Sequence, residues 1–281
     1  MKKYVLFDAI IDINHTLPLA TSAKELLKVL NLEIPILGGV SRDRGLESIG
    51  EDKETFFREN AKTLALATKE KSDIVCVEDS SFLSLRTTLE KLKEDEKLAN
   101  LTIKELEKNN LELNLDIKIF TLADFIIKEF GMAKLKKNIS KNFKNFLVAL
   151  YLGSYQCQIQ RYSDIKSYSK LLEATELKLI DYNLKNQVCG YDIYDTNEQL
   201  ACEMAGALML DMFDNAADFV VINDARSFAM FDEHQKELEK SVGREIGLTV
   251  LCLAEVLLLA LGITDKKRIG LDNHVIKTKI V

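Results

Sequence analysis

The feature that most constrains the fold is a pair of similar segments in the two halves of the chain. KIFTLADFIIKEFGM spans residues 118–132, and TVLCLAEVLLLALGI spans residues 249–263. In each, an extended apolar stretch meets a Leu-Ala-acidic step and then a helical stretch with a glycine near its end, as helix termination favours. Such self-similarity predicts an internal duplication.

Two further pairs support the duplication. SDIVCVEDSSFLSL (72–85) is similar to ADFVVINDARSFAMF (217–231), and YVLFDAII near the start is similar to FLVALYLGS (146–154). The two members of the first pair are separated by fewer residues along the chain than those of the other two pairs. An insertion in the first half, at the charged stretch 91–114, accounts for this difference. The predicted repeats are residues 1–140 and 141–281.

The predicted strands are continuously apolar, as at 219–222 and 248–253. Parallel strands that are covered on both faces have this composition. The stretches 56–68 and 198–213 have the apolar spacing of helices, so each half is expected to contain four strands that alternate with helices. We therefore predict an α/β fold of two duplicated units with parallel sheets, related by pseudo-two-fold symmetry around a shared cleft.

Charge and hydropathy exclude several classes of protein. The net charge of −6 argues against a nucleic-acid partner. The start of the chain indicates a strand, not a signal peptide. The most apolar stretch, 247–262, is short and contains Glu255, so no transmembrane segment is expected. A cytoplasmic location is predicted, with peripheral attachment to the inner membrane through a partner as an alternative.

The five cysteines have no Cys-x-x-Cys spacing, so they predict neither a disulfide framework nor a zinc site. Cys76 and Cys252 lie in apolar runs, where a buried and inert thiol is expected.

The order and spacing of these segments resemble the B subunit of heterodisulfide reductase and its relatives, which have duplicated cysteine-rich CCG domains. The resemblance rests on SDIVCVEDSSFLSL, ADFVVINDARSFAMFDEHQ and LAEVLLLALG and covers nearly the whole chain. The E-type subunit of succinate dehydrogenases and fumarate reductases is among the relatives it indicates.

The resemblance also implies where the cysteine ligands of the family would stand in this chain. In the second half they fall on Gly153-Ser154, Val188-Cys189-Gly190 and Asp224-Ala225-Arg226-Ser227; in the first half they fall near Ile10, near 41–43, and on Glu78-Asp79-Ser80-Ser81. Only Cys189 is retained. Iron–sulfur clusters are held by sets of thiolates, so the expectation is that this chain has no cluster and no other cofactor or metal.

The candidate cleft residues at these positions are Glu78, Ser81, Ser154, Cys189, Asp224, Arg226 and Ser227. Glu78, Asp79 and Asp224 could bind a hard metal or act as acid and base, but helix capping is the favoured reading. Arg226, and Arg42 and Arg44 in the first half, could fill the vacated cavities and pair with these carboxylates or hold a small anionic ligand. They could equally form surface ion pairs, and both interpretations stay open. Cys189 is either a reactive thiol or, as favoured, a packed cysteine that remains from the ligand set of the family without a function.

The three histidines, His15, His234 and His274, have no metal-ligand spacing and are expected to be solvated or capping. No nucleophile motif, P-loop or GxGxxG is present.

These observations support two hypotheses about the function of the protein. The first is a cluster-less, non-catalytic binding or assembly subunit of an oxidoreductase complex like succinate dehydrogenase, fumarate reductase or heterodisulfide reductase, with protein subunits as partners. The alternative is an enzyme or a small-anion or metal-binding protein that uses the remodelled cleft. Residual cluster binding through Cys189 and Cys157 is a third reading.

Overall fold

The structure, a computed structural model, describes residues 3–10, 17–32, 34–153, 156–278 and 280. The chain forms two compact units. The first contains the described residues of the ranges Met1–Asp12 and Ile34–Phe125, and the second those of Ile13–Glu33 and Ile126–Val281. The boundary at 125/126 lies upstream of the predicted repeat boundary at 140/141. The duplication and its symmetry stay predictions.

The described strands are all parallel, as predicted for this α/β chain. The first unit has one sheet of order β1-β2-β3, and the second has one sheet of order β5-β4-β6-β7. The strands are β1 (Tyr4–Phe7), β2 (Asp73–Cys76), β3 (Ile119–Thr121), β4 (Leu147–Leu150), β5 (Lys178–Leu179), β6 (Phe219–Ile222) and β7 (Thr249–Cys252).

Helices follow most strands and cover the sheets. They are α1 (Leu17–Val29), α2 (Ser48–Glu51), α3 (Lys53–Lys69), α4 (Asp79–Glu94), α5 (Glu96–Lys108), α6 (Leu122–Glu129), α7 (Met132–Asn138), α8 (Gln156–Ile159), α9 (Lys166–Glu173), α10 (Glu198–Asp214), α11 (Ala225–Phe228), α12 (Gln235–Val242), α13 (Leu253–Ala260) and α14 (Lys266–Ile269). Short 3-10 turns lie at Tyr191–Ile193 and Leu271–Asn273, and a π-helical turn lies at Ala229–Glu233.

The prediction of a full fourth strand in the first half is wrong for the residues that the structure describes. At the free edge of β1 there is only a parallel bridge between Leu6 and Ile36. Leu6 donates its amide hydrogen to Pro35 (2.8 Å), and Leu37 donates to Leu6 (2.9 Å). Pro35 has no amide hydrogen to donate, and Gly39 has a φ of 75°, so the extended pairing cannot continue.

The core of the second unit lies around its two central strands. All four residues of β6 and of β7 are buried, as the continuous apolar runs predicted. All eight residues of α13 are buried too, and α13 packs against α1 and α9. The apolar stretch 247–262 is therefore a buried strand followed by a buried helix.

The predicted insertion 91–114 contains helix α5. On the inner side of α5, Ala99 and Leu106 are buried in a cluster with Ala61 of α3 and Leu92 of α4. On its outer side, Leu101 is 59% exposed. The charged stretch thus contains an amphipathic helix, α5, that extends the core of the first unit.

Candidate functional site

The corner after β6 in the second unit is organised by Asp224. This residue has extended backbone angles and is the N-cap of α11: its Oδ2 accepts the amide hydrogen of Ser227 at 2.8 Å. An aspartate at this position satisfies a backbone donor that the helix itself leaves without a partner. The capping role predicted for Asp224 is therefore present.

A cleft of about 180 Å³ opens beside this corner. The loop Val188-Cys189-Gly190 forms one side of it, and Asp224, Arg226 and Ser227 form another. The hydroxyl of Ser227 donates to Sγ of Cys189 at 3.6 Å. Four of the predicted site residues, Cys189, Asp224, Arg226 and Ser227, thus meet in one cleft. Ser154 lies outside the described residues.

Gly190 lets the cleft loop lie against α10. Its φ is 79°, in the left-handed region, and a Cβ at this position would lie 3.0 Å from the carbonyl oxygen of Ala201 and 3.1 Å from its Cα. The loop is also held from inside, because the hydroxyl of the buried Tyr151 donates to the carbonyl of Gln187 at 2.8 Å. Glycine is needed here for both conformation and space.

Arg226 pairs with a carboxylate that the sequence analysis did not single out. Its Nη1 lies 2.7 Å from Oδ1 of Asp192, on the turn that follows the cleft loop. The Arg226 side chain is 11% exposed and that of Asp192 is 46% exposed. The pair therefore ties the turn 191–193 to α11 across the cleft with a charge-assisted hydrogen bond.

The thiol of Cys189 is held in its neutral form. Desolvation is the largest cause and the negative charge of Asp224 the second, and together they raise the pKa of Cys189 to about 12. Hydrogen bonds from the Tyr191 amide and the Ser227 hydroxyl lower it by less. Because the thiolate is the nucleophile, the raised pKa makes Cys189 a weakly reactive thiol at neutral pH.

In the first unit, the corresponding polar residues follow β2 and are deeply buried. Glu78 is the N-cap residue of α4, but its side chain makes no capping bond; Oε1 of Glu78 instead accepts the hydroxyl of Ser81 at 2.8 Å. Asp43 accepts the hydroxyl of Ser80 at 3.1 Å. Asp79 is buried in the first turn of α4. Glu78 and Ser81, both predicted site residues, are therefore direct neighbours.

Buried carboxylates also surround Cys76 at the end of β2. Desolvation, followed by the charges of Asp43, Glu78 and Asp79, raises the pKa of the Cys76 thiol well above its ordinary value. Burial likewise raises the pKa of Cys252 in the second unit. Both thiols are buried, as predicted. Arg42 and Arg44, on either side of Asp43, are exposed.

The prediction for His274 is wrong, because this histidine is buried between two carboxylates in the second unit. Its Nε2 lies 2.7 Å from Oε1 of Glu255, and its Nδ1 lies 3.6 Å from Oδ1 of Asp232. Asp232 also accepts the amide hydrogens of Val275 (2.7 Å) and Ile276 (3.3 Å). These bonds fix the chain at 274–276 to the π-helical turn and to α13.

The sequence contained one signal for this cluster. Glu255 stands alone in the apolar stretch 247–262. A carboxylate inside a buried helix requires a hydrogen-bonding or charged partner. Glu255 has two: its Oε2 accepts the amide hydrogen of Cys252 at 2.7 Å, and its Oε1 contacts His274. The partner itself could not be identified from spacing, since it comes from a distant segment.

His234 is half-buried at the N-cap position of α12. Its ring packs on Tyr194 with centroids 4.3 Å apart. It makes no side-chain capping bond. His15 lies outside the described residues.

The described part of the chain offers no metal centre and no membrane span. No group of three or more His, Cys, Asp or Glu side chains there has an arrangement that could hold a metal ion. No helix among these residues is long and apolar enough to cross a membrane.

Comparison with known proteins agrees with the resemblance. Residues 191–275, which include the second-unit corner and the His274 cluster, match the HdrB-like C-terminal domain family. The B subunit of ferredoxin:CoB-CoM heterodisulfide reductase from Methanosarcina mazei is 24% identical over 234 residues, which cover 80% of this chain and 77% of that protein. The chain is similar to the heterodisulfide reductase B subunit over most of its length.

Two further matches extend this finding. The B subunit of the ferredoxin/F(420)H(2)-dependent CoB-CoM heterodisulfide reductase from Methanosarcina acetivorans is 23% identical over the same length and with the same coverage. A crystal structure of a hypothetical protein from Helicobacter pylori superposes on this whole HdrB-like chain with a TM-score of 0.85 at 22% identity. This chain spans 53% of that solved chain, and the match supports the α/β fold alone.

Proposed function

We propose that this HdrB-like protein is a binding or assembly subunit of an oxidoreductase complex and carries no iron–sulfur cluster of its own. The complex would be of the heterodisulfide reductase type or of the succinate dehydrogenase and fumarate reductase type. The relatives in Methanosarcina are named as subunits of heterodisulfide reductases. A subunit of such a complex needs surfaces for other proteins, and it needs no catalytic group of its own.

The observation that carries this proposal is the bonding at the corner 224–227. The resemblance places two cluster cysteines at Asp224 and Ser227, and both side chains have other partners. Asp224 caps α11, and Ser227 donates to Cys189. An aspartate that satisfies a helix terminus contributes to stability and has no need of a metal.

The donor set does not fit an iron–sulfur cluster. Clusters are held by thiolates, commonly four, because soft sulfur ligands match the iron–sulfide core. Cys189 is the one cysteine at a position that the resemblance assigns to a ligand, and a single thiolate cannot hold such a cluster. At the corresponding corner of the first unit, Glu78, Asp79, Ser80 and Ser81 supply only oxygen ligands.

The test is anaerobic purification of the tagged chain from its native host, with iron analysis and identification of the proteins that co-purify. We expect a flavoprotein or iron–sulfur protein in stoichiometric amount, and no iron in this chain once it is separated from that partner. Iron and visible absorbance that remain with the separated chain, and that are lost in Cys189→Ser, would overturn the cluster-less role. A chain that purifies alone would overturn the role in a complex.

The second candidate is a protein that binds a small ligand in the remodelled cleft. The observation that favours it is the cleft itself, where Cys189, Asp224 and Arg226 converge. Thermal unfolding with phosphate, Mg²⁺ or Mn²⁺ tests it, because a ligand that binds only the folded state raises the Tm. A rise that is absent in Arg226→Gln would favour this candidate. An unchanged Tm would leave the assembly role as the better account.

A further inference from the structure

Helix α10 has an outer face that is unusually apolar for a solvent-exposed helix. Its inner side is buried against α12, as a surface helix requires. On the opposite side, Leu200, Met204, Ala207 and Leu210 follow helical spacing, and none of them is buried. Leu200 is 43% exposed. We call Leu200, Glu203, Met204, Ala207 and Leu210 the α10 outer face.

A further exposed apolar side chain lies on the loop next to the helix. Val188, on the cleft loop, is 42% exposed, and this loop lies against the first turn of α10 through Gly190. A helix that is apolar on both sides is normally covered on both sides. Contiguous exposed apolar surface with a polar rim marks a site of protein interaction.

The rim of this surface is acidic. Helix α10 contains Glu198, Glu203, Asp211 and Asp214 and has no lysine or arginine. Of these, Asp211 accepts the amide hydrogen of Leu184 at 2.8 Å, and Asp214 pairs with Arg244 at 2.8 Å. The remaining two are exposed, and Glu203 accepts only the neutral amide of Gln199 at 3.0 Å among the contacts described for it.

Further negative charge lies at the start of the helix. Glu198 of α10 and Glu237 of α12 both act on Cys202, whose pKa is raised by desolvation first and then by these two carboxylates. Asp195, two residues before the N-cap of α10, is exposed. The charged side chains of α10 are therefore all carboxylates, and those at its start have further acidic neighbours.

We propose that the α10 outer face is the docking surface for a second protein, whose contacting segment is apolar and carries lysine or arginine at its margins. The inference rests on the proposed function, since it specifies the surface through which an assembly subunit would bind. Apolar side chains of the partner would cover Leu200, Met204 and Leu210, and basic side chains would lie next to Glu198 and Glu203. Such complementarity favours the correct partner and speeds its association.

The carboxylates of α10 also disfavour other molecules that could bind to the α10 outer face. A second copy of this chain, docked through its own α10, would bring together two helices whose charged residues are all acidic, and like charges across an interface are unfavourable. Nucleic acid and anionic lipid carry negative charge too and would be repelled.

Designed peptides test the surface directly. The probe is an amphipathic helical peptide of leucine and lysine, and its matched control replaces each lysine with glutamate. Fluorescence anisotropy should show that the purified wild-type chain binds the leucine–lysine peptide at least about tenfold more tightly than the leucine–glutamate peptide. Raising the salt concentration should weaken this binding, because the charges involved are exposed.

A matched pair of double variants locates the binding. Leu200→Asp with Glu203→Lys changes the α10 outer face, whereas Leu101→Asp with Glu107→Lys makes the same changes on the exposed side of α5. We expect the first variant to lose about tenfold or more in affinity and the second to bind like the wild type. Equal binding by both variants, or no preference between the two peptides, would overturn the docking surface. Circular dichroism and Tm confirm that each variant is folded.

The failure of this inference can be told apart from failure of the proposed function. If the chain purifies from its host with a stoichiometric partner, and the α10 variant retains that partner, the proposed function stands and the docking surface is overturned. If no partner is found, the proposed function fails, and the peptide measurement still decides whether the α10 outer face binds a basic apolar segment.

Discussion

Nε2 of His274 lies 2.7 Å from Oε1 of Glu255, and both side chains are buried. The two residues come from different segments, α13 and the chain after the last 3-10 turn. With Asp232 on the other side of the ring, one imidazole faces two carboxylates. A protonated imidazole hydrogen-bonds to Glu255 and attracts the negative charge of Asp232 3.6 Å away, so the cluster is most stable when His274 carries its charge.

This relationship predicts how stability depends on pH. Burial lowers the pKa of His274, but Glu255 and Asp232 raise it by more, to about 10. In the unfolded chain a histidine has a pKa of about 6.5. At pH values between these two pKa values, His274 is protonated in the folded state and largely neutral in the unfolded state. The contribution of protonated His274 to the free energy of unfolding is fully present below about pH 6.5. It is lost as pH rises towards 10, by at most about 1.4 kcal/mol per pH unit.

Urea unfolding at several pH values from 6.5 to 9.5 measures this effect. The free energy of unfolding should fall with pH in the wild type and should fall less steeply in His274→Asn. At pH 6.5 the variant should also be less stable by about 3 kcal/mol, because it leaves two buried carboxylates without their cation. His234→Asn, at a half-buried histidine, is the control and should keep the wild-type slope. The same slope in wild type and His274→Asn would contradict the prediction.

Close packing of α10 on α12 predicts a strong effect at Gly206. A Cβ at this position would lie 2.7 Å from Cγ1 of Val242 and 3.0 Å from the carbonyl oxygen of Leu238. We expect Gly206→Ala to destabilise the protein by about 1–3 kcal/mol, although alanine is the better helix former. The control is Gly50→Ala in α2, where no atom lies within 4 Å of the added Cβ. Denaturant midpoints should separate the two variants, and equal midpoints would contradict the packing.

The environment of Cys189 predicts its reactivity. Asp224 is the largest electrostatic cause of the raised pKa of this thiol, after desolvation. Asp224→Asn removes the charge and keeps an oxygen that can cap α11. The variant should lower the pKa of Cys189, so alkylation by iodoacetamide at pH 8 should be faster than in the wild type. Peptide mapping by mass spectrometry follows Cys189 separately from the other cysteines. An unchanged or slower rate at Cys189 would contradict this assignment of cause.

The sequence predicted those parts of the fold that depend on local patterns. Continuous apolar runs located β6 and β7, and apolar spacing near 3.6 located α10 within one residue of its observed end. The polar residues directly after a strand were located in the same way, because the chain must turn there. Local pattern located the corner after β6, and the family resemblance then singled out Asp224 and Ser227 within it.

The sequence could not reveal contacts between distant segments. Asp192 had no feature that marked it as the partner of Arg226, since 34 residues separate them. His274 was predicted to be solvated or capping for the same reason. An ion pair between distant residues is determined by tertiary packing, and periodicity describes only which side of an element is buried. The packing of α1 with the second unit, against α13, was equally beyond the reach of the pattern.

The α5 helix offers a last test, in which two leucines of one helix should behave differently. Leu106 is 5% exposed and packs in the cluster with Ala61 and Leu92, whereas Leu101 is 59% exposed. Leu106→Ala removes buried methyl groups and leaves a cavity, so it should lower the free energy of unfolding by about 2–4 kcal/mol. Leu101→Ala should change it by less than about 0.5 kcal/mol, because the side chain is already in water. If urea unfolding gave similar losses for both variants, α5 would not pack on α3 and α4 through the side described, and the charged stretch 91–114 would not extend the core of the first unit.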